Sequence, residues 1–298
     1  MTIDRHVLLR GFIGLFLLAT ATDPALAADP SQAPAAVAGS PQERDNVNQE
    51  AAAALVKERQ ALVREAMTAN EDMLLAIVGL EHGDQDIAYK ALADASGKLD
   101  VVLARDPAMK RVPISVRATT RDLESGPKSV GKALTDAKEQ LSKGNVQAAK
   151  SLLQPLTSEI RITTESLPMD TYPAAIKQAT QQIQAGKGDD AARLLANTLT
   201  SIVTTERVIP LPPLKAEADV QEAEALIKAD PVKNRPQALD LVNQARRQLE
   251  VGKLLGYGEY KDVKQELAAV QDKLNGGSSD SGLFARLKKL LHEARSKL

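Results

Sequence analysis

The chain has 298 residues, with 38 Lys and Arg against 39 Asp and Glu, and the resulting charge of −1 excludes the basic field that a nucleic-acid partner requires. It has no Cys, no Trp and three His, which removes thiol and imidazole-rich metal sites and leaves Cys-His or Ser-His-Asp catalysis short of parts. Aromatic platforms for sugars or bases are equally scarce.

The first stretch, MTIDRHVLLRGFIGLFLLATATDPALAADP, sets Arg5 and Arg10 before an apolar run from Gly11 to Ala19, followed by Ala25, Leu26 and Ala27 in an A-x-A arrangement. This pattern predicts a secretory signal peptide over residues 1–27, cleaved after Ala27, and places the mature protein in the periplasm or beyond. The run is about half the ~20 residues a spanning helix needs. Residues 28–44 are rich in Pro, Ala and Ser without a periodic apolar face, and read as a disordered spacer.

Residues 45–275 read as one all-α domain of stacked antiparallel hairpins. From Asp45, Leu55, Leu62, Ala66, Met73, Ile77 and Leu80 recur at helical spacing, with Asn70 as a candidate break. An internal repeat follows. Ten, seven and three residues before Gly83, Gly144 and Gly186 stand Met73, Ala76, Leu80; Leu134, Ala137, Leu141; and Ile176, Ala179, Ile183. Five, eight and nine residues after them stand Ala88, Ala91, Leu92; Ala149, Leu152, Leu153; and Ala191, Leu194, Leu195, with Leu99, Ile160 and Ile202 continuing the second face. Each glycine is therefore the elbow of a helical hairpin. Asp84, Asn145 and Asp189 are candidate caps. This also settles "QAGKGDDAARLL", which resembles a phosphate loop but has Gly188 and Asp189 after Lys187, where Ser or Thr is needed.

The stretch 106–130, with Pro107, Pro113 and Pro127, is open between extended segments and a short helix. The second and third units close on "TTESLP" and "TTERVIP", read as helix ends stopped by proline. Thr163, Thr164, Glu165 and Thr204, Thr205, Glu206 stand at equivalent points and are candidate ligand or partner contacts, against the simpler reading of local caps facing water. "VIPLPPL" is a stiff connector, with a polyproline ligand as the alternative. A fourth hairpin is expected from Ala223, Leu226 and Ile227 to Ala238, Leu241, Ala245 and Leu249. In "LGYG" the glycines end a helix with Tyr257 over its cap, and Tyr257 is a further candidate contact. His82 is read as a helix-end residue, with acid sensing as the alternative.

Residues 276–298 read as a flexible linker and a basic amphipathic helix. Its apolar side holds Leu283, Phe284, Leu287, Leu290, Leu291 and Ala294, and it carries five cations against Glu293. The short tether favours folding back on its own domain at least as much as docking elsewhere, and Phe284, Leu287 and Leu291 are candidate contacts to a partner groove or a membrane surface.

Taken in order, "EIRITTESLP", "AIKQATQQIQAGKGDDAARLL", "TTERVIPLPPLKAEADVQEAE" and "ARRQLEVGKLLGYG" resemble the YfdX family over residues near 60–260. That resemblance implies an exported, largely helical protein of bacterial stress responses, with chaperone-like or ligand-binding roles and no catalytic residues. A weaker likeness to tetratricopeptide hairpins lacks the fixed period, since the elbow glycines are 61 and then 42 residues apart.

The expected function is non-enzymatic binding of other proteins or apolar small molecules in grooves between hairpins, without cofactor, metal or nucleic acid. A homo-oligomeric scaffold, and peripheral membrane contact through residues 283–298, are compatible with it. Mild acid is expected to loosen the packing by protonating carboxylates. The alternative from another class is a small-molecule hydrolase or ligand-binding enzyme using Glu165 and Glu206 as paired carboxylates, which requires them to converge in an enclosed pocket.

Overall fold

The structure is a computed structural model that describes residues 39–277 and 282–296; the expected signal peptide, most of the expected spacer and residues 278–281 of the linker lie outside the described residues. Helix α1 (Pro41–Arg59) begins inside the stretch expected to be disordered. The reason lies in the run S-P-Q-E. The Ser40 hydroxyl accepts from the Glu43 N–H at 3.2 Å, and the Glu43 carboxylate accepts from the Ser40 N–H at 2.8 Å. A reciprocal cap with proline at the first helical position starts a helix efficiently. The chain breaks at residues 60–63, whereas Asn70 lies within α2 (Arg64–Glu81).

Helices α2 and α3 (Gln85–Arg105) form the first hairpin, α4 (Pro127–Ser142) and α5 (Val146–Leu153) the second, and α6 (Tyr172–Gln184) and α7 (Gly188–Leu199) the third. Their elbows, Gly83, Gly144 and Gly186, have φ of 75°, 77° and 70°. In each, the residue after the glycine donates back across the turn: Asp84 to the Gly79 carbonyl at 2.8 Å, Asn145 to Gln140 and Lys187 to Gln182 at 2.9 Å. The glycine N–H takes the next carbonyl, giving a closure that requires a left-handed residue at its centre. Gly186 is thus a helix stop, as expected. Asp84 also acts as the expected cap, its carboxylate accepting from the Ile87 N–H at 3.0 Å. Asn145 instead donates to the Gln140 side chain at 3.0 Å, and Asp189 lies in the first turn of α7.

The all-α expectation fails after each hairpin. Strands β1 (Arg111–Arg121), β2 (Glu159–Pro168) and β3 (Val203–Pro210) form an antiparallel sheet in the order β1-β2-β3. The supposed helix ends TTESLP and TTERVIP are strand, and Ile160 is a strand residue rather than the continuation of a helix face. Runs such as VPISV and IRITT are β-branched, a composition that loses rotamer freedom in a helix and suits a pleated surface. Pro113 sits on edge strand β1, beside an irregularity in the register, where a missing N–H is tolerated.

Register explains which hairpins meet. The start of β1, Arg111, pairs with Pro168 at the end of β2, and the start of β3, Val203, pairs with Ser166. Hairpins 1 and 3, which lead into β1 and β3, therefore emerge at one end of the sheet. Hairpin 2 leads into Glu159, which pairs with Arg121 and Pro210 at the other end. Accordingly α2 packs on α7 and α3 on α6, while α4 packs on α9. Consecutive stacking of the tetratricopeptide kind is absent among the described residues. Grooves between hairpins were expected, but the contact between hairpins 1 and 3 is filled by their own Met73, Ala76, Ala88, Leu92, Ala179 and Leu195, all buried.

The apolar face of the sheet, with Val116, Ile160, Ile162 and Ile209, packs under Val47 and Ala54 of α1. The fourth hairpin is present as α8 (Leu211–Ala229) and α9 (Arg235–Leu254), and α10 (Lys261–Asn275) and α11 (Leu283–Ser296) complete a second core with it. The proline-rich stretch ends β3 and opens α8 with Leu211, Pro212, Pro213 and Leu214 buried, so it is a connector and offers no polyproline ligand. No described helix is long and apolar enough to cross a membrane.

A Cβ added at Gly186 meets no atom within 4 Å, so the cost of Gly186→Ala is backbone strain alone. The variant is expected to lose about 1–2 kcal/mol of stability, read as a lower urea midpoint with an unchanged m-value.

Candidate functional site

The two Thr-Thr-Glu triplets do meet, but as paired strands. Thr163 stands opposite Glu206, Thr164 opposite Thr205 and Glu165 opposite Thr204. Because side chains alternate along a strand, Thr163, Glu165, Thr204 and Glu206 share one face and Thr164 and Thr205 the other. Each carboxylate on the first face meets an arginine: Glu165 meets Arg117 at 2.7 Å, and Glu206 meets Arg161 at 3.2 Å. Glu206 is half-exposed on an edge strand, so the enclosed pocket that paired acid–base chemistry requires is not formed around these groups.

The same face ends in a tighter cluster. Arg161 also donates to Glu159 at 2.7 Å, and Glu159 accepts at 2.7 Å from the Tyr257 hydroxyl, which itself accepts from the Ser158 N–H at 3.2 Å. Tyr257 therefore ties the end of α9 to the central strand, reaching past the helix cap over which the sequence had placed it. Burial first, and the Glu159 carboxylate second, push its hydroxyl pKa well above the ordinary value. Beside it, Asp122 and Lys215 form a buried ion pair at 2.7 Å. Such a pair adds little net stability but is costly to break by removing one partner.

Lys215 and Glu43 line a polar cleft of about 250 Å³ between the start of α1, residues 123–127 and α9, which contributes Gln244, Arg247 and Gln248. Glu43 is fully buried, accepting from Gln248 at 3.1 Å and Gln244 at 3.3 Å as well as from Ser40. One turn beyond Lys215, Asp219 is also fully buried, and neither of its carboxylate oxygens has a hydrogen-bond partner among the described residues. Burial, with Glu43 and Glu222 adding repulsion, raises its pKa from 3.8 to about 8, against weaker pull from Arg247 and Lys215. The sequence did not single out these residues. S-P-Q-E was a legible signal for Glu43, whereas Asp219 lies in a run of alternating Ala and acids that reads as a solvated helix face.

Asp219 reverses, at one site, the expected effect of acid. The folded chain holds a proton that the unfolded chain has released, so this contribution is complete below pH 3.8 and lost as pH rises to about 8. Asp219→Asn is expected to remove a fall of about 1.4 kcal/mol per pH unit across that window. Urea titrations from pH 4 to 8 check it: the variant should match the parent at the acid end and exceed it at the alkaline end.

The tail helix folds back. Phe284, Leu287 and Leu291 are fully buried against α8 and α10, which is the fold-back reading and leaves them no part in a partner groove or a membrane contact. Three ion pairs from two cations hold the helix: Lys288 to Glu224 at 2.5 Å, and Arg295 to both Glu50 and Glu217 at 3.4 Å. Burial raises the Glu224 pKa, but hydrogen bonds from Lys228 and Lys288 outweigh that and hold it below the ordinary value. His82 lies exposed at the end of α2. Among the described residues no group of three or more His, Asp and Glu is placed to hold a metal ion.

Hairpin 2 differs from its two counterparts. Leu141 is 51% exposed where Leu80 is 8% and Ile183 2%, and Leu153 is 39% exposed where Leu92 is 1% and Leu195 0%. Val146, at the start of α5, is 60% exposed. Helices α2 and α3 also present Leu74, Leu75, Val78 and Ile87 on their outer sides, whereas hairpin 3 exposes no large apolar residue among the described residues.

These observations define a protein of helical hairpins, three of which each deliver a strand to a small central sheet, with uncovered apolar faces on two of them. Residues 69–208, from within α2 almost to the end of β3 and just under half of the chain, match the family described as YfdX protein. Helix α1 and helices α8 to α11 lie outside the matched segment, including the "GYG" and "LPPLKAEADVQEAE" stretches. A solved structure of Salmonella Typhi YfdX is similar at 16% identity over 50% of this chain and 93% of its own, with a TM-score of 0.35. No curated protein matches the sequence.

Proposed function

We propose that this protein is an exported, non-enzymatic binding protein of stress conditions, which holds other proteins or apolar ligands on the uncovered faces of its helical hairpins. The distribution of exposed apolar side chains supports this reading most directly. Leu74 and Val78 stand one turn apart on the solvent side of α2, with Leu75 beside them. Apolar side chains grouped on successive turns mark a contact surface, whereas scattered ones do not. The alternative enzyme of Glu165 and Glu206 lacks the enclosure it needs. Export rests on the leader sequence and its A-x-A site.

The purified protein is expected to reduce light scattering from a heat-denatured client. Leu74→Glu/Val78→Glu should lose most of that effect with unchanged helix content, because both side chains already face solvent. Failure of the parent protein at every pH between mildly acid and neutral would end the chaperone-like reading. Export is checked separately: the cell-envelope fraction should contain a chain beginning at Ala28, and a cytoplasmic chain retaining Met1 would remove that part.

A further inference from the structure

The sheet has two edges, and they differ. Helices α1 and α2 pack on β1, and the Pro113 carbonyl accepts from the Val63 N–H at 3.1 Å. Strand β3 packs closely on β2 alone, and Thr204, Thr205, Glu206 and Arg207 are exposed, so both of its faces are open there. Opposite residues of an antiparallel pair alternate between those that exchange main-chain hydrogen bonds and those whose N–H and C=O groups point away from the partner. Leu211 continues the register past the pair of Pro210 and Glu159 and donates to the Ser158 carbonyl at 2.9 Å, so Ile209, Arg207, Thr205 and Val203 bond β2 in turn. The N–H and C=O groups of Thr204, Glu206 and Val208 therefore point outward, repeating about every 6.8 Å along the strand. No main-chain group of these three residues bonds anything outside the sheet among the described residues.

We infer that the outer edge of β3 is a binding site for an extended polypeptide segment of another protein, which adds a fourth strand to the sheet through Thr204, Glu206 and Val208. The open hydrogen-bonding groups select the class of ligand. Donors and acceptors at strand spacing match an extended backbone, and neither a helix nor a compact small molecule can satisfy the row. Edge strands are commonly guarded by free charge or by proline. Here Glu206 and Arg207 are drawn sideways, to Arg161 at 3.2 Å and Glu58 at 3.4 Å, and proline comes only at Pro210. Sequence preference enters through a cleft of about 280 Å³ at the end of the strand, walled by Val208, Ile209 and Pro210 and rimmed by Arg207 and Arg295. Both arginines are already paired, Arg295 with Glu50 and Glu217, so the cleft favours an apolar side chain over a charged one. Unfolded chains offer many such segments and folded proteins few. The site is separate from the exposed hairpin faces and does not depend on them.

Amide hydrogen exchange resolved to single residues tests the inference, with reduced and carboxymethylated α-lactalbumin as a permanently unfolded probe. In the free protein Thr204, Glu206 and Val208 are expected to exchange freely while Thr205, Arg207 and Ile209 are protected. With the probe in excess, the first three should slow by about tenfold or more and the others keep their rates. Glu206→Pro removes the central outward donor without touching a bond to β2, and should weaken probe binding by about tenfold or more, whereas Glu206→Ala should bind as the parent does. Leu74→Glu/Val78→Glu should leave the alternating protection intact. Unchanged rates at the three amides, equal slowing in Glu206→Pro, or slowing without the probe that grows with protein concentration and so marks a second copy on the edge, would each overturn the inference. Loss of light-scattering protection with the alternating pattern retained would sink the hairpin reading alone; the reverse result would sink this one.

Discussion

A helical hairpin can bury the seam between its two helices, but not the apolar edges that flank the seam. That limit governs the whole chain. Small residues such as Ala76, Ala88, Ala179 and Ala191 bring the helices of a hairpin close, and the larger Met73, Leu92, Ile183 and Leu195 are left to find cover outside it. Hairpins 1 and 3 give that cover to each other. Hairpin 2 carries the same pattern, and its Leu141 and Leu153 stay in solvent.

The sheet decides which hairpins can meet. Each of the first three hairpins feeds the start of one strand, and antiparallel pairing puts the start of β2 beside the ends of β1 and β3. Neighbours in sequence are thereby held apart. The polar face of the sheet carries Arg117, Arg161, Glu159, Glu165 and Glu206 in alternating contact, and Tyr257 reaches in from α9 to Glu159. The second core is thus joined to the sheet through a buried hydroxyl and carboxylate, with the Asp122 and Lys215 pair alongside. Buried polar contacts of this kind contribute little to net stability, but they accept few alternative arrangements.

Periodicity made the helical part legible. The three elbows, the faces on either side and the fourth hairpin follow from residues spaced at three, four and seven, because local backbone closure and a helical face depend on few neighbours. The strands escaped because a face pattern was carried one step too far, through Ile160, after helix α5 had already ended at Leu153. Proline was read as a helix stop where it ends a strand. The start of α1 was concealed by its Pro- and Ala-rich surroundings although Ser40 and Glu43 supply a complete capping box. Of the candidate contacts, the threonines and glutamates pair across β2 and β3, in a register that no single strand encodes.

What the sequence determined by itself is everything set by near neighbours: the glycine elbows, the alanine seams, the amphipathic tail and the export leader as a pattern. What only the tertiary structure decided is which of these faces are covered. Burial of Phe284, exposure of Val146 and the isolation of Asp219 from any hydrogen-bond partner among the described residues depend on segments far apart in the chain. An apolar face specifies that it needs a cover, and strand order and register specify whether one is within reach.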